Sequence, residues 1–167
     1  IKSFEALSLK AYHGKADRAG VWTIGWGHTK GVKPGDVITR ERAEELFNSD
    51  LEPGERTLNA DLVTGRPRPL VTQSQFDALC SFVFNVGGGN YLDSTLRRKL
   101  RQGDVMGAAG EFKRWIYADH KIAPGLIPRR DAERRLFLQS GAADIAALLL
   151  GMMLAGSAVL VAMLFML

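Results

Sequence analysis

Residues 4–29 read FEALSLKAYHGKADRAGVWTIGWGHT, and this stretch decides what the rest of the chain must be. Trp22, Ile24 and Trp26 alternate with Thr23 and Gly25, the period of a β-strand. Gly20, Gly25, Gly27 and Gly31 punctuate the segment as turns or points of close backbone approach. Glu5 lies ahead of the glycine-rich ribbon, Asp17 within it and Thr23 on its strand. Two carboxyls flanking a small sheet are the minimum equipment for cutting a glycosidic bond. One protonates the leaving oxygen, while the other holds a water or stabilises positive charge developing on the sugar.

Outward from this stretch the pattern turns helical. Residues 1–10 read as a short helix, with Phe4, Leu7 and Ala11 on one side. Thr39 is a helix N-cap ahead of an apolar stripe, Ala43, Leu46, Phe47 and Leu51, that runs until Pro53-Gly54. Residues around Arg66-Pro67-Arg68-Pro69 read as a loop. Thr72 and Gln75 form a capping-box pair before the most apolar helix, which Gly87-Gly88-Gly89-Asn90 stops. Shorter helices follow over residues 94–101, 104–115 and 128–138, with Ser94 and Asp104 as caps and Gly103 as a break. A small β region beside a larger helical body is an α+β arrangement.

The chain has 167 residues, 46% of them hydrophobic and 24% charged, the balance of a folded domain. Its net charge of +4 suits a polyanionic partner such as a cell wall, a membrane surface or nucleic acid. No zinc-finger spacing or RNA-binding signature supports nucleic acid. Basic residues concentrate at Arg97, Arg98, Lys99 and Arg101, and again at Arg129, Arg130, Arg134 and Arg135. Cys80 is the single cysteine, which excludes an internal disulfide, and its helical neighbours make it a small core residue.

Composition changes abruptly near Gly141. Ile145 to Leu167 is 23 residues with Ser157 as its one strongly polar side chain, long enough to cross a bilayer as a helix. Ala143, Ala147, Gly151 and Ala155 recur every fourth residue, a small-residue stripe suited to helix self-association in the membrane. The expected division is a folded domain at 1–141 and a transmembrane segment at 142–167. The Arg-rich helix ahead of the span favours the cytoplasmic side, so the orientation stays open.

Seven separated blocks carry a resemblance: FEALSLKAY, GVWTIGWGHT, ITRERAEELFNSDL, TQSQFDALCSFVFNVG, STLRRKL, GAAGEFKRWIYA and PGLIPRRDAERRLFL. In this order they resemble the phage-type lysozymes, glycoside hydrolase family 24, over residues 1–141. The resemblance implies a lysozyme-like fold: a small N-terminal β-hairpin lobe and a larger helical lobe joined by a long helix, with the glycan between them. It implies an endolysin hydrolysing the β-1,4 bond between N-acetylmuramic acid and N-acetylglucosamine, with no cofactor and no metal. Its partner is then the peptidoglycan glycan strand. With the apolar tail, the expected location is the bacterial inner membrane, the catalytic domain acting on the wall.

The resemblance also implies a site. Glu5 matches the family's general acid, and partial burial against apolar neighbours would favour its protonated form. Thr23 matches the threonine that holds the attacking water, its hydroxyl both donating and accepting. Asp17 is in register when counted back from Thr23 but follows Tyr12 three residues later than the family spacing, which leaves His13 as the nearest polar substitute. His28 is expected to fasten the two lobes and Asn85 to face the cleft toward an acetamido group. Arg130 is expected to pair with Glu5, with Arg129 as the adjacent alternative. Trp115 reads as core packing. Three other readings stay open: an inactive, anchored wall-binding protein, a holin-like protein whose tail disrupts membranes, and a lytic transglycosylase needing only the glutamate.

Overall fold

The structure is a computed structural model describing residues 1–13, 21–64, 69–118 and 120–139. The alternation around Trp22 becomes a short strand, β2 (Thr23–Gly25), paired antiparallel with β1 (Ser8–Tyr12). Ser8 lies opposite Gly25 and Tyr12 opposite Thr23, with a register irregularity between them. On its other edge β1 meets the segment before the first helix. There the Ala11 N–H donates to the Asp36 carbonyl at 2.8 Å and the Ile38 N–H to the Leu9 carbonyl at 2.9 Å.

The helix expected over residues 1–10 is absent. Residues 2–4 form turns, with the Phe4 N–H donating to the Ile1 carbonyl at 2.8 Å, and Ser8–Lys10 belong to β1. A few residues ahead of a strand cannot repay the cost of nucleating a helix, whereas pairing on both edges satisfies the strand backbone at once.

Thr39 caps α1 (Arg40–Leu58), its hydroxyl accepting from the Arg42 N–H at 3.2 Å. The helix does not stop at Pro53-Gly54 but continues through them. Proline removes one backbone hydrogen bond there, yet burial of Leu58 beyond it holds the last turn in place. Gly54 serves packing: a Cβ on it would stand 3.1 Å from Val83 Cγ1, so its absence lets α1 approach the next helix. A π-helical turn, Asn59–Thr64, follows.

The capping box at Thr72 and Gln75 starts α2 (Gln73–Val86). Gly87, with φ +85°, ends it, but a further helix, α3 (Gly88–Asp93), begins at once. Ser94 and Asp104 cap α4 (Thr95–Arg101) and α5 (Val105–Glu111), with Gly103 at φ +78° between them. A 3-10 turn, Phe112–Arg114, and a minute hairpin of β3 (Tyr117–Ala118) and β4 (Lys121–Ile122) lead to α6 (Leu126–Phe137). That hairpin carries no alternation long enough to read from sequence. Pro128 falls in the first turn of α6 rather than before it, where a missing N–H costs nothing.

Two apolar clusters form. The larger, around Leu58, Leu79, Phe82, Phe112 and Phe137, lies among the helices, with Trp115 edge-on to Phe82 at 5.3 Å. The smaller joins Trp26, Ala43 and Phe47 and is covered by Ile1, Leu7 and Phe84. Cys80 packs at the rim of the larger cluster, and burial pushes its thiol up to about 12, so it stays an inert hydrophobe. The cations of α4 are largely spent inside the fold. Arg97 and Arg101 pair with buried Asp61, and Lys99 pairs with buried Glu111.

Among the described residues no helix is long and apolar enough to cross a membrane. The apolar tail, the domain boundary near residue 141, Asp17 and the Arg66-Pro67-Arg68 loop lie outside the described residues.

Candidate active site

Glu5 sits at the bend between the opening turns and β1, where the hairpin meets the helical body. After β2 the chain folds back through Gly25 (φ +64°) and Gly27 (φ +95°). Ile24 and His28 exchange both backbone hydrogen bonds at 2.9 Å. This turn brings Gly27 beside Glu5: a Cβ there would lie 3.6 Å from Glu5 Oε2, with no other contact within 4 Å among the described residues. Glycine thus supplies the left-handed backbone that lets the chain pass close to the carboxyl. Thr23 is buried on β2 in the same hairpin.

The other side of Glu5 is built by α6. Arg129 Nη1 donates to Glu5 Oε1 at 2.5 Å, an ion pair in which the Glu5 side chain remains 25% exposed and Arg129 is almost wholly buried. The arginine expected to make this contact was Arg130, and that expectation is corrected. One residue along a helix turns a side chain by about 100°, and only Arg129 faces the opening segment. Arg130 instead donates from Nη2 to Asn85 Oδ1 at 2.6 Å. Asn85 lines a cavity of about 550 Å³ with Trp115 and Tyr117.

Both arginines share a carboxylate that the sequence reading passed over. Glu133 Oε1 accepts from Ser81 Oγ at 2.7 Å and from Arg129 Nε at 3.3 Å, and its Oε2 lies 3.2 Å from Arg130 Nη1. That last contact is a charge contact without hydrogen-bond alignment, since neither atom has a hydrogen-bond partner among the described residues. Burial raises the Glu133 carboxyl above its ordinary value, although Arg130, Ser81 and Arg129 oppose the shift. Burial also holds Arg130 down to about 10, with Glu133 opposing and Arg129 adding to the effect. The i, i+4 and i, i+3 spacing of Glu133 to the arginine pair was the available signal.

His28 fastens the hairpin to α1. Its Nδ1 faces both Asp50 oxygens at 2.9 and 3.0 Å, and Nε2 donates to the Lys30 carbonyl at 2.9 Å. Asp50, also unanticipated, is the partner that gives His28 its position. His13 packs edge-on against Trp22 at 5.9 Å. The hairpin and α6 therefore meet at a partly exposed carboxyl held by a buried guanidinium. In its protonated form such a group can deliver a proton to a ligand lying along the hairpin.

The phage lysozyme family model matches residues 2–133. The endolysin of Acyrthosiphon pisum secondary endosymbiont phage 1 is 45% identical over 141 residues, spanning 82% of this chain and 91% of that protein. The SAR-endolysin of bacteriophage PS119 is 40% identical over 135 residues, spanning 80% of this chain and 76% of that one. Among solved structures, the muramidase domain of SpmX from Asticaccaulis excentricus superposes with a TM-score of 0.73 at 34% identity. It covers 83% of this chain and 92% of the SpmX domain.

Proposed function

Because the chain belongs to the phage lysozyme family and is a glycosidase of the lysozyme type, we propose that it hydrolyses the β-1,4 bond between N-acetylmuramic acid and N-acetylglucosamine in peptidoglycan. It does so as an endolysin, with Glu5 as the general acid. The observation that carries this reading is the partly exposed Glu5 carboxyl, held by the buried Arg129 guanidinium and lying beside Gly27. Glu5 protonates the leaving glycosidic oxygen as the bond breaks. Asp17 and the Thr23 hydroxyl orient a water on the opposite face of the sugar, giving inversion. Inverting enzymes need a gap of roughly 6.5–9.5 Å between the two carboxyls to admit that water. Asn85, steered by Arg130, meets an acetamido group, and His28 keeps the hairpin seated on α1.

Glu5→Gln preserves the packing around Arg129 but removes the proton donor. The variant is expected to fold and to lose wall lysis by two to four orders of magnitude, roughly the worth of a general acid. Full turbidity clearance by Glu5→Gln rejects the assignment. Mass spectrometry of the digested wall separates the hydrolase, which leaves a reducing N-acetylmuramic acid, from a lytic transglycosylase, which leaves an anhydro end.

The domain plan belongs to the same proposal: catalytic residues 1–141 and an apolar segment, 142–167, that tethers the enzyme to the inner membrane. The 23 apolar residues from Ile145 support it, as does the similarity to the PS119 protein, itself named a SAR-endolysin. Recovery of the full chain in the membrane fraction of the producing cells is expected, and a wholly soluble chain rejects tethering.

A further inference from the structure

We propose that Glu133 is a positioning residue that sets both arms of the site at once. Arg129 is aimed at the general acid, and Arg130 at the asparagine that meets substrate. The inference rests on the assignment of Glu5 above and adds a residue whose side chain lies behind the reacting groups.

The geometry is a fork. Glu133 is 2% exposed, with one carboxylate oxygen turned toward each arginine. On the first arm Oε1 meets Arg129 Nε at 3.3 Å, and the far end of that guanidinium reaches Glu5 at 2.5 Å. On the second arm Oε2 faces Arg130 Nη1 at 3.2 Å, and the other terminal nitrogen reaches Asn85 at 2.6 Å. The guanidinium is a rigid plane, so fixing one edge fixes where the opposite edge points. On the first arm the hydrogen bond sets the direction in which Arg129 presents its outer nitrogen, and on the second the charge contact holds the Arg130 guanidinium beside the carboxylate.

The carboxylate is itself pinned from a second helix. Ser81 Oγ on α2 donates to Oε1 at 2.7 Å, and the Ser81 carbonyl accepts from Arg129 Nη2 at 3.4 Å. A buried carboxylate between two buried arginines gives little net stability, because desolvation offsets most of the attraction. Orientation of the site is the gain that remains. Through the fork, α6 and α2 hold Glu5 and Asn85 in a fixed relation although the two are 80 residues apart.

The test uses the full chain, a soluble peptidoglycan oligomer and separate determination of kcat and KM. Glu133→Gln keeps the shape and loses the charge. It is expected to lower kcat roughly tenfold and raise KM several-fold while still folding. Glu133→Asp should recover part of kcat. In a double-mutant cycle, adding Glu133→Gln to Arg129→Gln should cost no further kcat, and adding it to Arg130→Gln no further KM. A folded Glu133→Gln with wild-type kcat and KM overturns the inference, as does a full additional loss in both arginine backgrounds. If Glu133→Gln fails to fold, Ser81→Ala decides. A kcat reduced about threefold at unchanged melting temperature supports the fork, and an unchanged kcat overturns it. Loss of activity in Glu5→Gln alongside an unaffected Glu133→Gln refutes this inference alone, whereas an active Glu5→Gln refutes the catalytic assignment beneath it.

Discussion

Gly27 shows how much one residue contributes at this site. Its φ of +95° favours glycine, and a Cβ there would stand 3.6 Å from Glu5 Oε2. Gly27→Ala is expected to cost about 1–2 kcal/mol of stability from the left-handed backbone. It should also lower activity beyond that loss, because the new methyl group occupies the space where a sugar would approach the carboxyl. Melting temperature and lysis rate, measured on the same preparation, check the two effects separately. Glu5, Thr23 and Gly27 could be named as candidates from sequence because each falls inside a short contiguous block. The choice between Arg129 and Arg130 was not. Adjacent residues on a helix face different ways, and which one faces Glu5 depends on how α6 is rotated against α2 and the opening segment.

Caps were the most legible features at the scale of elements, since a cap is a local hydrogen bond. Thr39, Thr72, Ser94 and Asp104 all accept from the expected backbone N–H groups. Elements whose limits depend on distant partners were misread: the opening helix that is partly β1, and α1 running through Pro53. The junction beyond α1 is held by Asp61, which accepts from Tyr91 at 3.0 Å and from Arg97 and Arg101 at 2.7–2.9 Å. Burial alone would raise the Asp61 carboxyl, but the hydrogen bonds from Arg97 and Tyr91 and the two arginine charges outweigh it, leaving it below its ordinary 3.8. The folded state therefore binds this proton less readily than the unfolded chain. The stabilisation is complete above about pH 4 and is lost as pH falls through the depressed folded value. Thermal melts on the acid side should show this loss. Asp61→Asn should flatten that part of the profile and cost about 1–3 kcal/mol at neutral pH, leaving two arginines poorly paired.

The whole molecule divides unequally. Among the described residues the helical cluster buries thirteen, whereas the hairpin side rests on Trp26, Ala43 and Phe47. A two-stranded ribbon is marginal alone, so the hairpin persists because it is packed on α1 and tied there by His28 and Asp50. Native-state hydrogen exchange should find the Ala11 and Ile24 amides opening at lower free energy than those of Phe82 and Val83 in α2. Equal protection in both regions would mean that the hairpin and the helices open as one unit. Charge is also a whole-molecule property that composition misdescribes. The net +4 suggested a cationic face, yet Arg97, Lys99 and Arg101 are committed to buried carboxylates. Formal charge counts residues, while the field outside depends on which of them are already paired.

By itself the sequence determined the family, the α+β class and the helix caps, and it singled out Glu5 as the candidate acid. Each of these is encoded in residues close together along the chain. Only the tertiary structure decided that Arg129 holds Glu5, that Arg130 turns to Asn85, and that Ser81 braces Glu133 from a second helix. Those pairings join residues 45 to 124 positions apart. Their geometry follows from the rotation and approach of packed helices, which residue types at a given spacing do not specify.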